Sequence, residues 1–225
     1  MLSMPKQQLL ELPIAPTYTR EDFIISSCNK HAYDLVTSWP NWPSHALIIC
    51  GEQYSGKTHL AHIWQKLSHA ISQRASALSF TPNVTSVVID IDQLPKSDQA
   101  TLFHIYNFTR ENQGWLLMTS STPIGQLGIE LRDLQSRLEA TPVIHLGAPD
   151  ETVLHGVLIK MLSDRQLTIR PDVADYILSR IPRSFETLHR LVEHLDAESM
   201  ANKHSITIPF VRKILPKLNL LLTPQ

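Results

Sequence analysis

Short apolar runs punctuate the chain. Ala46-Leu47-Ile48-Ile49-Cys50 is apolar at every position. A strand with one face in water would alternate, so this pattern suits a parallel strand buried on both faces. Val87-Val88-Ile89-Asp90, Trp115-Leu116-Leu117-Met118-Thr119 and Val143-Ile144-His145-Leu146 read the same way, and Ala77 to Phe80 is a candidate short fifth strand. Between the runs, apolar residues recur at helical spacing. Ala32, Leu35, Val36 and Trp39 mark a helix from Lys30 to Trp39; Leu60, Ile63, Trp64 and Leu67 mark a second; Leu102, Ile105, Tyr106 and Thr109 mark a third. Strands alternating with helices predict an α/β fold, a parallel sheet with helices on both faces.

The pattern changes after Pro149. Asp150 can cap a helix burying Val153, Val157, Leu158 and Met161. Pro171 opens another with Val173 and Ile177 inward, and Ser184 a third with Leu188, Leu191, Val192 and Leu195 in one stripe. Ile206 to Leu215 closes the chain, and no further strand is predicted. The expected organisation is therefore an extended leader over 1–20, carrying Pro5, Pro13 and Pro16, an α/β domain over 21–149, and a small all-helical domain over 150–225.

Composition narrows the function classes. No apolar run approaches the roughly 18 residues a membrane span needs, and the first residues lack a secretory signal. Cys28 and Cys50 are too few for a disulfide framework, so a cytoplasmic protein is expected. The 20 basic and 21 acidic residues nearly cancel, which argues against broad neutralisation of nucleic-acid phosphates. His59 and His62 stand three apart, but no further ligand lies at metal-site spacing.

The chemistry-bearing segment follows the first strand directly: Gly51-Glu52-Gln53-Tyr54-Ser55-Gly56-Lys57-Thr58. Backbone N–H groups that turn inward around phosphate oxygens need residues free of Cβ at the turns, which Gly51 and Gly56 supply. Lys57 brings a cation to the β- and γ-phosphates, Thr58 a hydroxyl ligand for Mg²⁺, and the following helix its N-terminal partial charge. ADP or ATP is the expected ligand. Asp90 ends the next strong strand, where a carboxylate can hold the Mg²⁺ shell. The following position, where a second acid commonly activates water, is Ile91; Asp92 lies one residue further on.

The glycine loop with Thr58-His59-Leu60-Ala61-His62 resembles the corresponding segment of the DnaA-related AAA+ family, and the likeness runs in order through most of the chain. Asp22-Phe23-Ile24-Ile25, followed by Asn29, resembles the stretch framing the adenine. Val87 to Gln93 resembles the Walker B strand, Leu117 to Pro123 the sensor 1 strand and turn, Leu134 to Leu138 the arginine-finger segment, and Arg183 to Leu188 the start of the sensor 2 helix. Lys6-Gln7-Gln8-Leu9-Leu10-Glu11-Leu12-Pro13 resembles the short peptide that docks into the DNA polymerase III sliding clamp. A clamp motif on a chain that ends at Gln225, without the DNA-binding domain of DnaA, resembles the family's regulatory inactivators of DnaA in their alphaproteobacterial form.

The resemblance implies an AAA+ fold with a helical lid. It implies nucleotide contacts from Gly51 to Thr58, with His59, Phe23, Ile25 and Arg183; an Mg²⁺ shell from Thr58 and Asp90; clamp binding through Gln7, Leu10 and Leu12; and an arginine finger, Arg137, acting in trans on DnaA. Two departures weaken own turnover: Ser120 or Ser121 stands at sensor 1, normally Asp in DnaA, and Glu186 falls near the sensor 2 arginine. The implied partners are DnaA and the clamp, with no sequence-specific DNA contact and no membrane; a homodimer stays open. The implied function is a nucleotide-bound regulator stimulating hydrolysis on DnaA and limiting replication initiation. The alternative is a helicase-loader-type AAA+ ATPase hydrolysing its own ATP.

Overall fold

The computed structural model describes residues 18–81, 83–202 and 205–218. Five parallel strands form one sheet: β1 (Ala46–Cys50), β2 (Ile71–Arg74), β3 (Ser86–Asp90), β4 (Trp115–Ser120) and β5 (Val143–His145), in the order β2-β3-β4-β1-β5. The unalternating runs occupy the centre, where β1 is buried at all five positions. Its side chains nevertheless divide by the two-residue period. Leu47 and Ile49 face α1 (Lys30–Thr37) and α2 (Lys57–Ser68), packing with Val36, Leu60, Ile63 and Trp64. Ala46 and Ile48 face α3 (Gln99–Glu111) and α4 (Arg132–Glu139), packing with Leu102, Ile105, Leu134 and Leu138.

The fifth strand is Ile71–Arg74 rather than Ala77–Phe80. As an edge strand pairing only with β3, it buries neither face fully, so its sequence, Ile-Ser-Gln-Arg, carries no apolar run. The apolar run after it is left outside, with Phe80 45% exposed, and the Gln73 amide binds both the carbonyl and the N–H of Ser79. The break at Trp39–Trp42 also hides a core element: Trp42 stacks on Trp64 at 5.0 Å and meets Trp115 edge-on at 5.8 Å.

A separate core joins α5 (Glu151–Asp164), α6 (Pro171–Leu178), α7 (Phe185–Asn202) and α8 (Ile208–Ile214). The Asp150 carboxylate caps α5 by accepting from Val153 N–H at 3.0 Å. Leu154 and Leu162 are buried on this helix along with Val153 and Leu158, whereas Val157 and Met161 are only partly buried. The helix therefore sits rotated from the expected stripe.

Register, more than strand length, decides which side chains meet at the carboxyl edge of the sheet. Cys50 lies beside Ser120, and Thr119 beside Asp90. Gly114 sets this register at the entry to β4: a Cβ there would overlap the Thr85 carbonyl, which accepts from Trp115 N–H at 2.6 Å. Gly114→Ala is expected to destabilise the protein by about 3 kcal/mol, the upper part of the overpacking range. Thermal unfolding checks this; an unchanged Tm would show that the turn yields freely.

Candidate phosphate-binding site

The strand ends put three segments side by side at the carboxyl edge of the sheet, where open α/β sheets bind ligands. They are the loop after β1, the Asp90–Asp92 segment after β3 and the Ser120–Thr122 turn after β4. Cross-bonds fix them: Gly51 N–H donates to Ser120 O at 3.1 Å, and Ile91 N–H to Thr119 O at 2.9 Å.

The loop is a built cradle. A Cβ on Gly51 would lie 2.7 Å from Ser55 Oγ and 2.9 Å from Leu146 Cβ. Gly56 holds φ +98°, the left-handed region, and a Cβ there would stand 3.3 Å from the Phe23 ring. Ser55 Oγ is buried without a hydrogen-bond partner, a polar atom an incoming oxygen would satisfy. Lys57 is buried, and its ammonium donates to the carbonyls of Gly51 and Glu52, each at 2.8 Å. Burial pulls its pKa below the ordinary lysine range, while Asp92 and then Asp90 work against that fall. Glu52, Gln53 and Thr58 face solvent. An anion at this mouth would find a confined cation, an unpaired hydroxyl and the N-terminus of α2.

The acids divide by side-chain direction. Ile91 points into the sheet core and is fully buried, so the position beside Asp90 offers no base. Asp90 and Asp92 fall on the other side. Asp90 Oδ1 accepts from Asp92 N–H at 3.1 Å, and although the side chain still reaches solvent, partial desolvation at the strand end raises its carboxyl above the usual range. Ser121 N–H lies 2.8 Å from both oxygens of Asp92, and the Ser120 hydroxyl, shared with Thr122 O at 2.6 Å, lies 3.0 Å from Oδ1. For Mg²⁺ the donor set fits: the solvent-facing Thr58 hydroxyl and Asp90 carboxylate are hard oxygens, and Mg²⁺ in such sites takes few protein ligands beside phosphate. Among the described residues no group of three or more His, Cys, Asp or Glu could hold a metal.

The stretch around Phe23 joins loop and lid. Phe23 is buried against Gly56 and meets His59 edge-on at 5.2 Å, while His59 Nε2 lies 2.6 Å from Thr19 O. Ile25 is 43% exposed and free to meet a flat ring. Asn29 pins the stretch, donating from Nδ2 to Ile24 O at 2.8 Å and accepting from Ser26 N–H at 2.9 Å. Ile24 packs on Gly156 of α5, where a Cβ would come within 2.7 Å of its Cδ1. A second bridge is the Tyr54 ring, at the tip of the loop with φ +65°, stacked on His189 of α7 at 4.0 Å. Sequence patterns carry no signal for that stack. Nor did the sequence settle the reach of Asp92 or show its serine partners.

Two expected site residues lie elsewhere. Arg183 faces solvent and pairs with Glu151 at 3.3 Å rather than with the loop. Arg137 lies on α4 with its guanidinium over the rings of Phe103 and Tyr106, at 5.5 and 5.7 Å, and its Nε is buried without a partner. It makes no ion pair among the described residues. Gln7, Leu10 and Leu12 lie outside the described residues. No helix among the described residues is long and apolar enough to cross a membrane.

Comparison with known proteins shows what this geometry is similar to. The Hda lid-domain family model matches residues 151–215. The chromosomal replication initiator protein DnaA of Cutibacterium acnes is 25% identical over 234 aligned positions, covering 90% of this chain and 47% of the relative. The chain thus spans about half the length of that curated relative. Among solved structures, domain III of Thermotoga maritima DnaA superposes with a TM-score of 0.74 at 19% identity, covering 91% of this chain and 98% of that one. AMPPCP-bound DnaA from Aquifex aeolicus gives 0.64 at 21% identity, covering 92% and 72%. An AAA+ sheet with the fold of the DnaA structures, joined to a segment that matches the Hda lid model, fits a DnaA-related AAA+ protein close to Hda.

Proposed function

We propose that the chain is a regulator that binds ADP or ATP with Mg²⁺ in the cradle from Gly51 to Thr58. In this reading its leader holds it to the DNA-loaded sliding clamp, and it then accelerates ATP hydrolysis on DnaA. The observation that carries the reading is the joining of an Hda-type lid to a complete phosphate loop whose second acid is replaced by a core residue, Ile91. Such a site retains the means to hold nucleotide and lacks a usual means of consuming it. Lys57, Ser55 and the loop amides take the phosphates. Phe23 and Ile25 border the base. Thr58 and Asp90 would hold Mg²⁺, which would supply charge neutralisation for the phosphates. Closed around nucleotide, the body presents Arg137 to the partner's γ-phosphate, where an arginine supplied in trans is worth about 10³ to 10⁵ in rate.

Hydrolysis of labelled DnaA–ATP tests this directly. Addition of the protein with clamp loaded on DNA is expected to speed conversion to DnaA–ADP strongly, while the protein alone with ATP turns over far below about 1 s⁻¹, the lower end for working enzymes. Replacing Gln7, Leu10 and Leu12 together by alanine should abolish clamp binding and stimulation without moving the Tm. Brisk own turnover with no effect on DnaA would favour the helicase-loader reading instead.

A further inference from the structure

Two arginines of the helical domain converge on one tyrosine. Arg165, Arg170, Arg183, Lys160 and Lys217 of that domain each pair with a carboxylate. Arg180, just past the end of α6, and Arg212, on α8, gather instead at Tyr176 of α6. The Arg180 guanidinium carbon lies 3.7 Å from the ring centroid and that of Arg212 lies 5.9 Å from it, with Arg212 Nε donating to the Tyr176 hydroxyl at 3.4 Å. Arg180 Nη1 is steered by the Ser179 hydroxyl at 2.9 Å and the Tyr176 carbonyl at 3.3 Å. Both arginines are exposed, and neither forms an ion pair among the described residues. A guanidinium carries five N–H donors, so most of theirs are left for a ligand.

We propose that Tyr176, Arg180 and Arg212 form a docking site for the phosphate backbone of duplex DNA. The choice of DNA rests on the reading of a regulator that works beside a clamp loaded on DNA; the anion site rests on the cluster itself. Two like charges held at one ring without a carboxylate repel each other, and an anion set against both removes that cost. A guanidinium stacked on an aromatic face keeps its N–H edges free, and its planar fork fits phosphate oxygens. A single carboxylate is satisfied by one such fork. A duplex presents a charge about every 1.7 Å along its axis, so each arginine can find its own phosphate. Single strands are bound by stacking bases on open aromatic faces, but Tyr176 is half-buried and Arg180 covers one face of its ring. Contacts of this kind position a protein on DNA without reading sequence. They also suit a chain whose 20 basic and 21 acidic residues nearly cancel, since the excess charge is local.

Fluorescence anisotropy with a labelled duplex, measured on the whole protein across a salt series without clamp or DnaA, tests the proposal. Wild type should bind the duplex at low salt, and more tightly than the matching single strand. Replacing Arg180 and Arg212 together by alanine should weaken binding about tenfold or more, the scale of a lost hydrogen bond to a charged group. It should also flatten the slope of log K against log salt by about 1.8, two phosphate contacts' worth. Replacing both by lysine, which keeps the charge, should retain most of that slope; with the single exposed variant Arg180→Glu, expected to lose binding, it serves should the alanine pair fail to fold. If the cluster only braces α6 against α8, the alanine pair lowers Tm and leaves DNA binding unchanged, which overturns the proposal. Tighter binding of the single strand overturns it as well, as does polyglutamate that competes equally for the same arginines and so marks an acidic-peptide site. A wild-type protein that ignores duplex DNA overturns this proposal while clamp-dependent stimulation of DnaA, measured separately, can still stand. Duplex binding through these arginines without that stimulation removes the regulator and leaves the phosphate site.

Discussion

Lys57→Ala is expected to weaken ADP and ATP binding by about 100-fold or more. Hydrogen bonds to charged groups are worth about 1.5 to 3 kcal/mol each, and the Lys57 ammonium can serve two phosphates at once. Part of that gain offsets what it leaves behind, since in this structure the same nitrogen binds the Gly51 and Glu52 carbonyls at 2.8 Å each. Those carbonyls lie at the open mouth of the loop and can turn to water, so the fold should stand. The Lys57 charge is also maintained against burial by Asp92 and Asp90, and its loss would remove the cation that offsets those carboxylates at the mouth of the loop. Calorimetry on the variant, with Tm as a control, checks this. Unchanged affinity at unchanged Tm would remove the phosphate-site reading.

The central strands and the loop were legible in sequence because each depends on a local rule. Strands buried on both faces must be apolar throughout, and a phosphate cradle must place glycine where Gly51 and Gly56 stand. What sequence did not show depends on contacts made from afar. Edge strand β2 is set by its pairing with β3, and no apolar pattern is needed for that. The rotation of α5 toward Leu154 and Leu162 follows from the faces of α6 and α7 that it meets. The hold on Asp92 needs Ser120 and Ser121, far along the chain but side by side with it once β3 and β4 are in register. Resemblance alone put Arg137 in a finger segment, and nothing local says that Phe103 and Tyr106 lie under it. That placement bears on how it could act.

Arg137→Ala is expected to lower stimulation of DnaA–ATP hydrolysis by about 10³, the low end for an arginine supplied in trans. The guanidinium rests half-buried over Phe103 and Tyr106, with Nε lacking a hydrogen-bond partner. A cation over aromatic rings gains about 0.5 to 1 kcal/mol near a surface, far less than a forked contact to phosphate oxygens in a closed interface. The resting position is thus a shelf the side chain can leave, and its unsatisfied Nε–H gains a partner when it does. Lysine can reach the same region but lacks the fork, so Arg137→Lys should recover little of the loss. If the arginine served only to cover α3, both variants would lose some thermal stability and keep their effect on DnaA. If it serves the partner's nucleotide, own ADP affinity and clamp binding stay intact while stimulation falls. Labelled DnaA–ATP, DNA-loaded clamp and each variant in turn distinguish the two. Full stimulation by Arg137→Ala would remove this residue from the mechanism and direct the search to Arg132, at the start of the same helix.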